Sequence, residues 1–307
     1  MAQRQETQVG RRPEVVSPPL AWIRRYASGL RRFMKTNRLS AVAGVVGALL
    51  ILMSIAAPLI APTDPLKPNM KRMNGEPSIR DQFYPFGTDH IGRDVLTRVI
   101  YGGRISLFVG FVSVLIGTSG GFAWGLTSGY FGGRFDLINQ RLVEILLSFP
   151  GLILAMALAM ALGASMWTVI IAIGITRLAP SARVIRSVVL SIKETPYVDA
   201  ARAVGANPLR VMVSHVAPQC VAPFLIVFTA SLGGAIVTEA SLSFLGVGIP
   251  PPAPTWGTML AEASGVLLPR WFLVVFPGMF ITVTVLAFNL FGDGLRDALD
   301  PRLRGST

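Results

Sequence analysis

Residues able to do chemistry are few in this chain. Its single cysteine, Cys220, excludes an intrachain disulfide and any thiolate metal cage. Of two histidines, His90 and His215, only His90 has a neighbour of interest, Asp89. That step suits a metal or proton site on paper and a surface pair more commonly, so no metal site is expected. Two carboxylates, Glu144 and Glu239, fall inside long apolar runs. A charge at a bilayer centre costs about 2.5–3.5 kcal/mol on insertion scales, so both are expected to face other helices or a watery path. Glu144, near the end of its run, can also snorkel. Neither has a nucleophile, base and orienting group at motif spacing, which gives a membrane-embedded enzyme no support. The phosphate-cradling G-x-x-x-x-G-K-[ST] is missing, and no Gly-Lys pair occurs anywhere.

The elements around these residues belong in lipid. Of 307 residues, 52% are hydrophobic and 14% charged, with a mean hydropathy of +0.57. Soluble domains carry about 25% charged residues. The net charge of +12 sits mostly beside apolar runs, a topology signal rather than a nucleic-acid surface. Six spans are expected, at 39–61, 105–128, 142–162, 167–185, 221–242 and 272–291. With both termini cytoplasmic, inner segments hold 20 Lys/Arg and outer segments 8. A rival parse fusing 142–175 into one helix reverses the bias in the loop after it and is rejected. The layout is therefore a polar tail (1–38), a first anchor (39–61), an external loop (62–104), a core with five spans (105–292) and a tail (293–307).

Within the external loop, Ile91, Val95 and Val99 recur every four residues beside polar Arg93, Asp94 and Arg98. This predicts an amphipathic helix lying along the interface. The outer segment 246–257 is too rich in proline and glycine to continue a helix. Arg177, Arg183 and Arg186 are expected to anchor at lipid headgroups.

The cytoplasmic loop 187–219 is the polar exception. Thr195-Pro196 reads as a helix start and Gly205 as its stop; Asn207-Pro208 starts a second helix that Pro218 limits. Tyr197, Ala200, Ala201 and Val204 fall on one face of the first helix, with small residues at its centre. Leu209, Met212, Val213 and Val216 do so on the second. Helices this short are marginal alone, so these faces must dock, on the chain's own helix ends or on another protein.

D-A-A-x3-G-x9-H-x-A-P, from Asp199 to Pro218, resembles the E-A-A-x3-G-x9-I-x-L-P loop of ABC-importer permeases; Asp199, His215 and Ala217 depart from the general pattern. Segments beginning at Phe86, Pro251 and Phe288 are similar to the dipeptide/oligopeptide branch of binding-protein-dependent permeases, in its C-type subunit. The resemblance covers about 39–304. It implies an all-α, six-helix transmembrane bundle of the type I importer kind, multi-pass in a bacterial inner membrane. It also implies a heterodimer with a related permease, two ABC ATPase subunits and an extracytoplasmic solute-binding protein, with no nucleic acid. The chain would hold no cofactor, ATP and Mg being bound by the ATPases. Coupling would run through Tyr197, Asp199, Ala200, Ala201, Arg202, Val204, Gly205, His215 and Pro218, with Asp199 and Arg202 orienting the contact. Glutathione or nickel chelates are alternative cargoes, and a proton-coupled carrier using Glu239 is the alternative class.

Overall fold

The computed structural model describes residues 37–78, 84–265 and 270–299. The expected N-terminal tail, up to residue 36, and the C-terminal tail beyond residue 299 lie outside the described residues. Helix α1 (Arg38–Ile55) is followed by one turn at Ala57–Ile60, then α2 (Val95–Phe131), α3 (Gly133–Ser148), α4 (Gly151–Leu162) and α5 (Met166–Ile192). After the short α6 (Pro196–Ala203) and α7 (Pro208–Val211) come α8 (Val221–Phe244), α9 (Trp256–Ser264) and α10 (Trp271–Leu299). Among the described residues the sole β feature is an isolated bridge between Thr88 and Asp94.

Five helical stretches are long and apolar enough to cross a membrane: α1, α2, α5, α7 through α8, and α10. The pair α3–α4 makes a sixth crossing if taken as one span, bent by 90°. The expected straight span at 142–162 is thus broken. Phe149 precedes Pro150, whose ring disfavours helical backbone in the residue before it, and Phe149 is extended (φ −91°, ψ 133°).

The expected interfacial helix is also corrected. Residues from Val95 onward are the first turns of α2, whose 37 residues span about 55 Å, well beyond a 30 Å hydrocarbon core. Both its apolar face (Val95, Val99, Ile100) and its polar face (Thr97, Arg98) are buried. Asp94 caps it, accepting from the amides of Leu96 and Thr97.

Helices α2 and α5 form the most extensive pair in the fold. Lipid tails are as apolar as leucine, so membrane helices associate through close contact rather than water exclusion. Here Gly117, Gly121, Gly125 and Gly129 make a four-residue stripe on α2, directly against the α5 backbone. A Cβ at Gly121 would lie 2.5 Å from Ser181 Cβ, and one at Gly125 would strike Ala182 O. The main apolar core continues from this seam through Val109 and Val114 of α2, Ala155 and Ala159 of α4, Ile170 and Ile173 of α5, and Leu232 and Ala235 of α8. Helix α1 stays largely exposed and approaches α10 through Gly44 and Gly47, beside Phe291, Ala287 and Phe288.

Gly125→Leu should separate α2 from α5, where forcing extra methylenes into packed space costs about 1–3 kcal/mol or more. The expected result is a marked fall in the melting temperature of the purified protein, while Gly151→Leu, whose site is open, leaves it unchanged.

Candidate functional site: a cytoplasmic coupling surface

The segment joining α5 to α8 is built as two short helices on a hydrophobic footing. Thr195 is extended and precedes Pro196 at the first helical position, as the sequence suggests, but its hydroxyl donates to Ile192 O at 2.6 Å instead of capping α6. Gly205 ends α6 at φ +81°, its amide donating to Arg202 O while Ala206 N–H returns to Ala201 O. These bonds satisfy the terminal carbonyls of the helix. The Asn207 side chain then accepts from Leu209 N and opens α7.

Beyond Val211 the chain does not stop at Pro218. It passes through a π turn (Met212–Val216) and a 3-10 turn (Ala217–Cys220) directly into α8. Proline lacks the N–H for regular α-helical bonding; the change of hydrogen-bond register absorbs that loss and keeps the path helical. The π turn also rotates the buried face. Met212 and Val216 are buried, whereas Leu209 and Val213, expected on the same face, are exposed.

A similar split affects α6. Val198 and Ala201 turn inward and pack with Val211, Met212, Val216 and Cys220 on Leu126 of α2 and Ile185 and Val189 of α5. Ala201 therefore belongs to the footing, not to the outer face expected for it. Tyr197, Ala200 and Val204 remain outside, Val204 at 85% exposure. The Tyr197 hydroxyl donates to His215 O at 2.6 Å and ties α6 to the π turn. His215 is half-buried and its Nδ1 has no partner. Asp199 and Arg202 pair at 3.2 Å on the exposed surface, a contact worth a few tenths of a kcal/mol.

The two span carboxylates part company. Glu144 is exposed and pairs with Arg141 at 2.8 Å on α3. Glu239 is completely buried, with the Ser243 hydroxyl donating to Oε1 at 2.9 Å and Ser106 and Thr255 alongside. It braces a wedge formed by the start of α9, where Trp256 Nε1 donates to Val99 O at 2.9 Å and Gly257 abuts Ala240 and Ser243. Of the three arginines expected at headgroups, Arg186 instead binds Asp136 of α3 through both ends of its guanidinium, and Arg177 lies between helices.

A further site escaped sequence reasoning. Asp89, expected to pair with His90 at the surface, is buried and accepts from Arg93 and Arg98, while Glu262 of α9 accepts from the same two arginines at 2.7 and 3.0 Å. Burial pushes the Glu262 carboxyl upward, and the Arg93 charge opposes it. Asp89, His90 and Glu262 have ligand atoms within 4.8 Å of one another. Their carboxylate oxygens are already committed to two guanidiniums, however, which repel a dication. The partners are 164–169 residues apart in sequence, so no local pattern announces them.

Residues 121–305 match the family model described as "Binding-protein-dependent transport system inner membrane component", and residues 26–77 match the "N-terminal TM domain of oligopeptide transport permease C". The chain belongs to this permease family. Similar relatives include the "Dipeptide transport system permease protein DppC" of Haemophilus influenzae, 42% identical over 89% of this chain and 93% of its own. The "Di/tripeptide transport system permease protein DppC" of Pseudomonas aeruginosa is 39% identical over 92% and 95%. The "Glutathione transport system permease protein GsiD" of Pectobacterium atrosepticum is 39% identical over 89% and 90%. A chain of the inward-facing MetNI methionine ABC transporter superposes with a TM-score of 0.56 at 19% identity, covering 67% of this permease and 97% of that chain. The expected all-α importer-permease fold and multi-pass inner-membrane location are borne out, with the span corrections above.

Asp89→Ala should leave both permease guanidiniums short of a counter-charge, and breaking a buried pair costs about 3–5 kcal/mol. Thermal melting of the detergent-solubilised protein should fall accordingly, whereas Arg202→Ala on the exposed pair should leave it unchanged.

Proposed function

We propose that this permease forms half of the translocation pathway of an ATP-driven peptide importer and is moved by separate ATPase subunits that grip α6. The observation that carries the reading is the mounting of α6. Its inner face is fixed to α2 and α5, its outer face offers Tyr197, Ala200 and Val204, and its ends lead into α5 and, through α7, into α8. A groove on an ATPase that takes this outer face and shifts on nucleotide binding displaces α5 and α8 together. The small Ala200 permits close approach, Asp199 and Arg202 orient the contact, and Gly205, with His215 and Pro218 behind it, sets the shape of the surface.

The remaining assembly follows from the same reading. A homologous second permease supplies the other half-pathway, two ABC ATPases bind ATP and Mg, and an extracytoplasmic solute-binding protein delivers cargo. This chain carries out no catalysis and holds no cofactor. The peptide cargo is supported by the dipeptide and di/tripeptide names of its relatives. Glutathione, itself a tripeptide with free carboxylates, is the second reading, supported by the glutathione permeases at similar identity. Glu239, sealed among hydroxyls at zero exposure, disfavours a proton-coupled carrier.

Val204→Glu and Ala200→Glu place charge on the outer face without touching the footing. Each should leave the permease folded yet reduce ATPase co-purification and ATP-driven uptake at least about tenfold, the scale of 1.4 kcal/mol. Ala201→Glu should instead collapse the fold. Normal ATPase binding and uptake by Val204→Glu and Ala200→Glu together would falsify the coupling surface.

A further inference from the structure

We propose that Arg177 is a carboxylate-binding residue inside the bundle, and that its ligand is the C-terminal carboxylate of the transported peptide; the inference rests on the peptide-import reading above. Arg177 stands eleven residues into α5 from Met166, about 16 Å along the axis and thus near the middle of the hydrocarbon layer. Its side chain lies in a slot made by glycines of two other helices. A Cβ at Gly117 of α2 would come 2.8 Å from Arg177 Cβ, and a Cβ at Gly234 of α8 would come 3.0 Å from Nη2.

The slot holds a cation and gives it little in return. Nε is enclosed without a hydrogen-bond partner, and Nη2 reaches Thr238 Oγ1 only at 3.5 Å. Among the described residues no carboxylate forms an ion pair with Arg177: Asp136 pairs with Arg186 and Glu144 with Arg141, while Glu239 accepts from Ser243 at Oε1 and leaves Oε2 without a partner. An ionised group kept inside a membrane bundle without a counter-charge is costly and marks a ligand or ion path. The arginine fork matches a carboxylate through two parallel hydrogen bonds. The residue keeps partial exposure although Nε itself is enclosed.

The position also fits a passing cargo. The slot lies where α5 meets α2 and α8, and α5 and α8 are the two helices that the coupling segment joins, so a carboxylate held by Arg177 sits where ATPase-driven motion would change its surroundings. Every peptide with a free C-terminus carries one carboxylate whatever its side chains, which makes this group the shared handle of the cargo class.

The test uses the assembled permease pair with its ATPases and without the solute-binding protein, so that receptor selectivity does not enter. Equilibrium dialysis measures labelled Ala-Phe dipeptide, with unlabelled Ala-Phe, its C-terminal amide and acetate as competitors. The expected result is saturable binding that the free acid and, at higher concentration, acetate displace, with the amide at least about tenfold weaker. Arg177→Gln should weaken binding by a similar factor, with Arg177→Lys in between. Equal competition by the amide, wild-type affinity in Arg177→Gln, or no saturable binding overturns the proposal. So does loss of permease pairing in Arg177→Gln with binding in the wild type indifferent to amidation, which assigns the arginine to an acidic side chain of the second permease. If Arg177→Gln does not assemble, the acid-against-amide comparison on the wild type decides. Peptide uptake by the complete transporter in proteoliposomes separates the two readings: uptake without carboxylate-dependent binding overturns this inference alone, and binding without uptake of any peptide overturns the peptide reading.

Discussion

The close approach of α2 and α5 underlies the rest of the molecule. In lipid there is no gain from hiding apolar side chains from water, so a helix pair is stable only when backbones come near enough for dense dispersion contact. The stripe from Gly117 to Gly129 provides that proximity over about three helical turns. Hydroxyls along α2 do not disturb it, because Ser113 and Thr118 donate to carbonyls of their own helix at 2.6 and 2.7 Å. The seam fixes the C-terminal ends of α2 and α5, where Leu126, Ile185 and Val189 form the floor beneath α6. It also creates, at Gly117, one wall of the slot around Arg177.

The outer end is held by a different physics. There the helix α2 rises beyond the hydrocarbon layer, and charged groups are affordable because each finds an opposite charge. Arg93 and Arg98, at the head of α2, bind Asp89 beside them and Glu262 on α9. Trp256 fills the space beneath, against Gly102 and Gly103, and its indole closes on Val99 O. Glu239 completes the wedge from α8. These contacts tie α2, α8 and α9 at one end, while the glycine seam and the α6 footing tie α2, α5 and α7 at the other.

How much of this was legible in the sequence depended on the range of the interaction concerned. The crossings were visible because apolar runs are local. So were the boundaries of α6, written by Thr195-Pro196 and by Gly205. The break at Phe149-Pro150 was written in the same local code and was missed, because the apolar run continues across it. The faces of α6 and α7 were read half correctly. Helical periodicity identifies an apolar face but not its partner, and it assumes α-helical register, which the π turn at Met212–Val216 violates. Ala201 joins the coupling face for the first reason, and Val213 is grouped with the buried Met212 and Val216 for the second. The charge cluster of Asp89, Arg93, Arg98 and Glu262 and the slot around Arg177 depend on tertiary contacts between distant segments. Arg177 reads as a headgroup anchor although it falls within the expected span 167–185, because its neighbours Gly117 and Gly234 lie on other helices.

The distribution of unmet interactions is itself informative. Among the described residues five buried side-chain atoms lack a partner, on Ser54, Asn74, Arg177, His215 and Glu239; of these Arg177 is a cation with no ion pair, and Val204, Leu209 and Val213 expose apolar side chains. Lipid explains the apolar surfaces of α1, α3 and α10, but it would cover neither the outer face of α6, which lies beyond the apolar part of α5, nor a guanidinium between helices. These two exceptions lie on either side of the same pair, α5 and α8. A ligand can shift an equilibrium only through contacts that differ between its states. The residues with contacts still to make are therefore the ones through which nucleotide outside the chain and cargo within it would be felt. On the proposed reading, the close-packed α2–α5 seam would carry a displacement at α6 into α5.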